Sequence, residues 1–166
     1  MYEGTKPMFE SLQKLNDAKK KFEDDVKANG KTIIKDALAE FFNLYPEVES
    51  IRWHQYTPYF NDGEPCTFGV GDVTGRLHGV TEGGDYDDGY EYRFCPNDKS
   101  DWGREEIKKR GLTEADIKNL KRLDEGLSAL ATAIHGLADA LEYVFGDGVE
   151  ITATVNGIEI ADYDHD

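Results

Sequence analysis

Apolar positions recur at helical spacing through most of the first 45 residues. Over residues 7–26 they alternate with lysines and acids, which is the pattern of an amphipathic helix. Asn29-Gly30 offers a stop or a kink; the pattern resumes over residues 33–42 and ends near Tyr45-Pro46, where the proline disfavours helical continuation. The pattern predicts an N-terminal helix within residues 1–30 followed by a more buried helix, or one bent helix.

The period of the pattern changes to two after Pro46. Side chains from Val48 to Tyr56 alternate between two environments, as they do along a strand. We expect Ile51 and Trp53 to face the core. A turn at residues 61–63 and a second alternating run over residues 66–70 predict that the two runs form a β-hairpin.

A capping signal at Thr113, with an acid three residues later, opens the longest predicted helix. Leucines and isoleucines repeat along it in steps of three and four up to Val144, which indicates an unbroken packing seam. A second stripe, over residues 126–140, holds only glycine and alanine. It would let another backbone approach closely, either within the chain or in a homodimer formed through the 113–145 helix.

Residues 149–155 and 158–160 alternate again on either side of Asn156-Gly157, a strong hairpin signal. Residues 31–72 and 113–163 therefore both follow the order helix, strand, turn, strand. We predict an α+β fold in a single domain, residues 1–166, in which two αββ units form a four-stranded antiparallel sheet with helices packed on one face. A long acidic, glycine-rich insert, residues 73–112, separates the two units.

Charge narrows the classes of partner. The 166 residues include 34 acids against 19 lysines and arginines, a net charge of −15. A field of this sign repels phosphate backbones and anionic membranes, so we expect neither direct nucleic-acid binding nor membrane association. It favours a protein partner with a basic surface. The two cysteines and the absence of a long apolar segment near the N-terminus favour a reduced, cytoplasmic setting, the host cytoplasm if the protein is viral.

Complete catalytic and metal-binding motifs are absent from the sequence. It lacks a phosphate-binding loop, a GxSxG elbow and an HExxH helix. The acidic run at residues 85–89 lacks the EF-hand register, and the spacing of His54, His78, Cys66 and Cys95 does not support zinc. We therefore expect two buried thiols, no metal and no cofactor. An enzyme of unfamiliar type, with Cys66 as nucleophile and His54 as base, is one alternative.

The first hairpin carries the candidate binding site. Arginine, tyrosine and phenylalanine are the residues that dominate binding hot spots, and several lie on the face opposite Trp53 or near the turn. The same groups could hold a planar small molecule or nucleotide signal by stacking, or the insert could cover this face. The candidate residues are Arg52, His54, Tyr56, Tyr59, Phe60, Asn61, Asp62, and, from the insert, Tyr86 and Tyr90.

The segment from Trp53 to Cys66, WHQYTPYFNDGEPC, resembles a segment of uncharacterised small acidic proteins of tailed phages and bacteria. The resemblance implies a viral or prophage setting, in which such proteins often act by binding host machinery. Together with the charge and the lack of a catalytic motif, it leads us to expect a non-catalytic, phage-encoded accessory protein that binds and blocks a host protein, for example a defence component. A small-molecule-sequestering protein is the second expectation.

Overall fold

A computed structural model describes residues 10–80 and 88–164. Within these ranges the chain forms four helices and one antiparallel sheet of five strands, so the predicted α+β class is confirmed. The helices are α1 (Glu10–Leu44), α2 (Asp101–Arg110), α3 (Glu114–His135) and α4 (Ala138–Phe145). The strands are β1 (Val48–Tyr56), β2 (Gly69–Val70), β3 (Thr74–Leu77), β4 (Val149–Thr154) and β5 (Gly157–Asp162).

The central strand of the sheet is β1. One of its edges pairs with β4 over residues 50–55, and β4 pairs in turn with β5. The other edge is shared by two short strands, because β3 pairs with residues 48–52 and β2 with residues 55 and 56. Every strand of the sheet therefore depends on β1, directly or through β4.

The sheet has five strands instead of the predicted four, and the difference lies in the return strand of the first hairpin. Pairing begins only at Gly69, after a loop over residues 57–68. Pro65, which stands just before the predicted strand, has no amide hydrogen to donate to a ladder. The chain then turns and pairs again as β3, inside the range 73–112 that the sequence assigns to the insert. The first unit thus supplies three strands instead of two.

The separate helices predicted before and after Gly30 are one continuous helix, α1. Glycine inside a helix costs about 1 kcal/mol relative to alanine, but this position is in close contact with α4. A Cβ atom at Gly30 would lie 2.4 Å from Cγ2 of Val144. The glycine therefore marks the place where α4 approaches α1, and it does not end the helix.

Trp53 and Gln55 connect β1 to α4 in the interior, where they are 1% and 0% exposed. The Gln55 side-chain amide donates to the carbonyls of Leu141, at 3.0 Å, and Gly146, at 2.7 Å. Its oxygen accepts a hydrogen bond from the Trp53 indole at 3.1 Å. Since an unpaired buried polar group costs about 1–3 kcal/mol, this network holds α4 in place against β1. The predicted burial of Trp53, and of Ile51, is confirmed.

The helix predicted over residues 113–145 is divided into α3 and α4. Thr113 does form the expected capping box, with Asp116. At Leu137, however, the backbone leaves helical geometry (φ −109°, ψ 16°) and the side chain is 49% exposed. Leu141 is fully buried. The predicted unbroken seam is therefore interrupted at Leu137 and returns to the core at Leu141.

At Gly126, the stripe of small residues serves packing within the chain. The Tyr45 ring lies against Gly126, where a Cβ atom would come within 2.3 Å of Cζ. The Arg122 guanidinium lies 5.2 Å from the centroid of the same ring. Further along the stripe, Ala129 and Ala133 are exposed. The predicted homodimer through this helix stays a prediction.

Substituting Gly126→Ala should destabilise the protein although alanine is the better helix former. The helix gains about 1 kcal/mol, but the added methyl group collides with the Tyr45 ring, and overpacking costs about 1–3 kcal/mol. Chemical denaturation should show a net loss of up to about 2 kcal/mol. Gly136→Ala is the matched control: it adds a methyl group on an exposed turn with no contact closer than 3.4 Å, so an equal loss there would refute the packing explanation.

Candidate functional site

The candidate site lies on the face of the sheet opposite the core. The inward side chains of β1 and β4 pack with α1, α3 and α4 in one apolar cluster. Arg52, His54 and Tyr56 point to the other face and are half-buried. Two segments far away in sequence cover parts of this face, one through Tyr90 and the other through Tyr163.

One half of the face is covered by the end of the insert. Asp88 forms an ion pair with Arg52 at 2.6 Å, and the Arg52 guanidinium lies 3.9 Å from the centroid of the Tyr90 ring. The buried Ser50 hydroxyl donates a hydrogen bond to the Tyr90 hydroxyl at 2.8 Å and so has a partner. The hydrogen bond from Arg52 lowers the pKa of the Asp88 carboxyl below its ordinary value. We refer to Arg52, Asp88 and Tyr90 as the clamp.

Backbone contacts continue the attachment beyond the clamp. Glu91 and Gly75 exchange two backbone hydrogen bonds of 2.8 Å, which adds a bridge to the edge of β3. The amides of Phe94 and Cys95 donate to the Asp124 carboxylate of α3, at 2.5 and 3.1 Å. Burial of these two side chains in the core completes the docking. Asp88 and Tyr90 of the insert therefore cover part of the predicted surface, whereas Phe94 and Cys95 dock on the core side. Tyr86 lies outside the described residues.

The other half of the face is covered by the end of the chain. His54 is within 2.7 Å of the Glu150 carboxylate and stacks on Tyr163, with ring centroids 3.9 Å apart and an interplanar angle of 16°. The Tyr56 ring lies 5.4 Å from Tyr163. Sequence reasoning did not place Tyr163 among the candidate residues. The alternation along β5, continued past Asp162, is the signal that could have found it.

The loop over residues 57–68 carries the most exposed candidate residues. Tyr59 is 73% exposed and Phe60 is 76% exposed. Asn61 and Asp62 are also exposed and form the turn, in which Asp62 has a positive φ of 37°. The start of the loop is anchored, because the backbone amide and hydroxyl of Thr57 each donate to the Asp147 carboxylate at 2.7 Å. The clamp does not involve Tyr59 or Phe60.

The arrangement of cysteines and histidines gives little support for a nucleophile and base. The expectation of two buried thiols is wrong for Cys66, which is exposed because Pro65 and the following residues do not pair into the sheet; Cys95 is buried. The strand register places Gly71, not Cys66, beside His54. Among the described residues no group of three or more His, Cys, Asp and Glu side chains is arranged to hold a metal. No helix in residues 10–80 or 88–164 is long and apolar enough to span a membrane.

A groove between α2 and the docked end of the insert carries two exposed aromatic rings. Its volume is about 870 Å³. Tyr92 and Trp102 line it and are 75% and 72% exposed. Arg93 and Arg110 also border this groove. Sequence reasoning did not identify the groove, because its two walls are brought together only by the docking of Phe94 and Cys95.

Comparison of the chain with protein-family models, curated proteins and solved structures finds no match in any of the three. The resemblance of residues 53–66 to small phage and bacterial proteins stays a prediction.

Substituting Asp88→Asn should loosen the docked end of the insert while leaving the core intact. The clamp is partly exposed, and exposed pairs contribute about 0.2–1 kcal/mol, so exchange of the Glu91 amide hydrogen should accelerate by a factor of about 1.4 to 5. Because the folded pKa of Asp88 is lowered, this stabilisation is fully present above the ordinary carboxyl pKa and is lost as the pH falls through the lowered value. Hydrogen exchange measured by NMR checks both effects.

The control for this prediction is Asp72→Asn, which removes an exposed carboxylate from the turn between β2 and β3. It should leave exchange at Glu91 unchanged. Equal acceleration in both variants would mean that net charge, not the clamp, controls the attachment of the insert.

Proposed function

We propose that this chain is a non-catalytic accessory protein, of phage origin, that binds and blocks a host protein in the host cytoplasm, for example a component of host defence. The observation that carries the proposal is the exposure of Tyr59 and Phe60 on a loop fastened to the sheet through Thr57 and Asp147. Two properties of this loop support the proposal: its exposed aromatic rings and the negative charge around them.

Two adjacent exposed aromatic rings suit recognition of a protein surface. Aromatic side chains supply a large contact area and have few rotatable bonds, so ordering them on binding costs little entropy. Tyr59 adds a hydroxyl that can form hydrogen bonds at the interface. Anchoring of the loop base at Asp147 reduces the backbone freedom that the complex must remove.

The charge around the loop specifies the chemistry of the partner. Asp62 and Glu64 are exposed next to the two rings, and Asp147 lies at the base of the loop. The chain as a whole carries a net charge of −15. Such a surface accelerates encounter with a basic protein surface, and the acceleration decreases as ionic strength rises. The partner proposed here therefore presents lysines or arginines around an apolar pocket.

The full chain, immobilised, should capture one bacterial protein at low salt and less of it at moderate salt. With that protein purified, the double variant Tyr59→Ala and Phe60→Ala should bind at least about tenfold more weakly, since hot-spot truncations commonly cost 2 kcal/mol or more. The melting temperature should not change. Addition of the wild-type chain should inhibit the activity of the captured protein.

The matched control is Trp102→Ala, which removes an equally exposed aromatic ring from α2. It should bind as the wild type does. Failure to capture any protein at either salt concentration would contradict the proposal, as would equal weakening by the loop variant and the control.

Capture of a small molecule, such as a nucleotide signal, is the second candidate. The observation that favours it is the groove lined by Tyr92 and Trp102, whose volume falls within the usual range for ligand sites. Rings for stacking occur there together with Arg93 and Arg110 at the rim. On the sheet, by contrast, Arg52 is already engaged in the clamp.

A nucleotide that binds in this groove should raise the melting temperature, because a ligand that binds only the folded state stabilises it. At a nucleotide concentration 100 times the dissociation constant, the folded state is stabilised by about 2.7 kcal/mol. Trp102→Ala should abolish the shift and the Tyr59→Ala, Phe60→Ala variant should retain it. The absence of a shift with every nucleotide in a thermal screen would remove this candidate.

A further inference from the structure

Helix α1 carries a second apolar row beside the face that packs on the core. Four of its members are strongly exposed: Leu15 (68%), Phe22 (62%), Ile33 (64%) and Leu44 (68%). Val26 is half-buried and Ala37 is exposed. At 1.5 Å per residue the row extends about 44 Å along the helix. We refer to these six residues as the α1 stripe.

The spacing of the α1 stripe is the same from either end of the helix. Its members are separated by 7, 4, 7, 4 and 7 residues. Steps of 7 and 4 average 3.67 residues per turn, so the row stays on one side of a nearly straight helix. If a second α1 ran antiparallel, with a two-fold axis between residues 29 and 30, every member of the stripe would face a member of the second copy. This is the self-complementarity that a two-fold interface requires.

The facing pairs are also compatible in size. Leu15 would lie opposite Leu44 of the second copy, and Val26 opposite Ile33. The largest side chain, Phe22, would lie opposite the smallest, Ala37. Alternation of large and small side chains across a helix contact lets the two surfaces interdigitate.

Charge makes α1 a suitable place for two copies of an acidic protein to meet. Residues 10–44 contain seven lysines and seven acids, so the helix is neutral and the net charge of −15 lies elsewhere in the chain. The same two-fold axis places Lys19 at the level of Glu40 of the second copy. Asp25 of one copy and Asp36 of the other lie at similar levels and repel each other. Because this repulsion offsets the attraction between Lys19 and Glu40, added salt should not weaken the association.

The first part of α1 also lacks a packing partner within the described chain. Residues 10–22 are exposed throughout, whereas the next residue, Glu23, accepts a hydrogen bond from Tyr143 at 3.0 Å. A helical segment of 13 residues is marginal by itself in water. Packing of its apolar row against another helix would supply the stabilisation that it lacks.

We propose that the protein forms a homodimer in which the α1 stripes of two copies pack antiparallel around a two-fold axis near residues 29 and 30. This interface differs from the one predicted on residues 113–145. It does not depend on the binding function proposed above, because the stripe does not include Tyr59, Phe60 or the groove at Trp102.

Sedimentation equilibrium of the full chain should show a reversible monomer–dimer equilibrium that persists at high salt. Phe22→Glu or Ile33→Glu should raise the dissociation constant at least roughly tenfold, because each places a charge in the apolar contact. Both sites are exposed, so circular dichroism should show that the fold is retained.

Two controls define the surface. Lys21→Glu alters the opposite side of α1, and Ala129→Glu alters the exposed small-residue stripe on α3. Neither should change the dissociation constant. A chain that stays monomeric at all concentrations would overturn the proposal, and loss of the dimer in Ala129→Glu but not in Phe22→Glu would assign the interface to α3 instead.

Cysteine crosslinking tests the direction of the pairing. In a Cys66→Ser background, the double variant Leu15→Cys and Leu44→Cys should form disulfide-linked dimers under a mild oxidant, because the two positions face each other in the antiparallel arrangement. Leu15→Cys alone should remain uncrosslinked. Efficient crosslinking of that single variant would indicate parallel helices and refute the two-fold axis proposed here.

Discussion

The structure depends above all on the burial of Trp53 and Gln55 beneath α4. Their side chains form a hydrogen bond with each other, and the Gln55 amide also donates to two carbonyls, that of Leu141 within α4 and that of Gly146 directly after it. One face of β1 therefore packs in the core. Because β1 lies between β4 and the two short strands, the packing of this strand also sets which face of the whole sheet is buried.

The opposite face of β1 is left polar, and the chain uses its own distant segments to satisfy much of it. Arg52 is engaged by Asp88 and Tyr90, and His54 by Glu150 and Tyr163. These groups act mainly in attaching the insert and the end of the chain. Among the described candidate residues, the strongly exposed rings are Tyr59 and Phe60 in the loop over residues 57–68, and it is this smaller region that the proposed recognition function uses.

Net charge and apolar surface are distributed unevenly over the molecule. The excess of acids over basic residues that gives the chain its net charge lies outside α1. Helix α1 itself is neutral and presents a long apolar row. A charged surface favours fast encounter with an oppositely charged partner, and an apolar row favours a contact that depends on burial. The two surfaces are therefore suited to different kinds of association, one with another protein and one with a second copy.

Local patterns in the sequence determined the α+β class, the inward residues Ile51 and Trp53, and the cap at Thr113, because each reflects interactions between near neighbours. The exposure of Tyr59 and Phe60 follows from their place beside a turn. The tertiary structure decided the rest: Gly30 packs against Val144 inside a continuous α1, the predicted helix is interrupted at Leu137, and Tyr163 covers His54. Periodicity identifies an apolar face, but it does not identify the element that will pack on it, since that partner can lie 100 residues away.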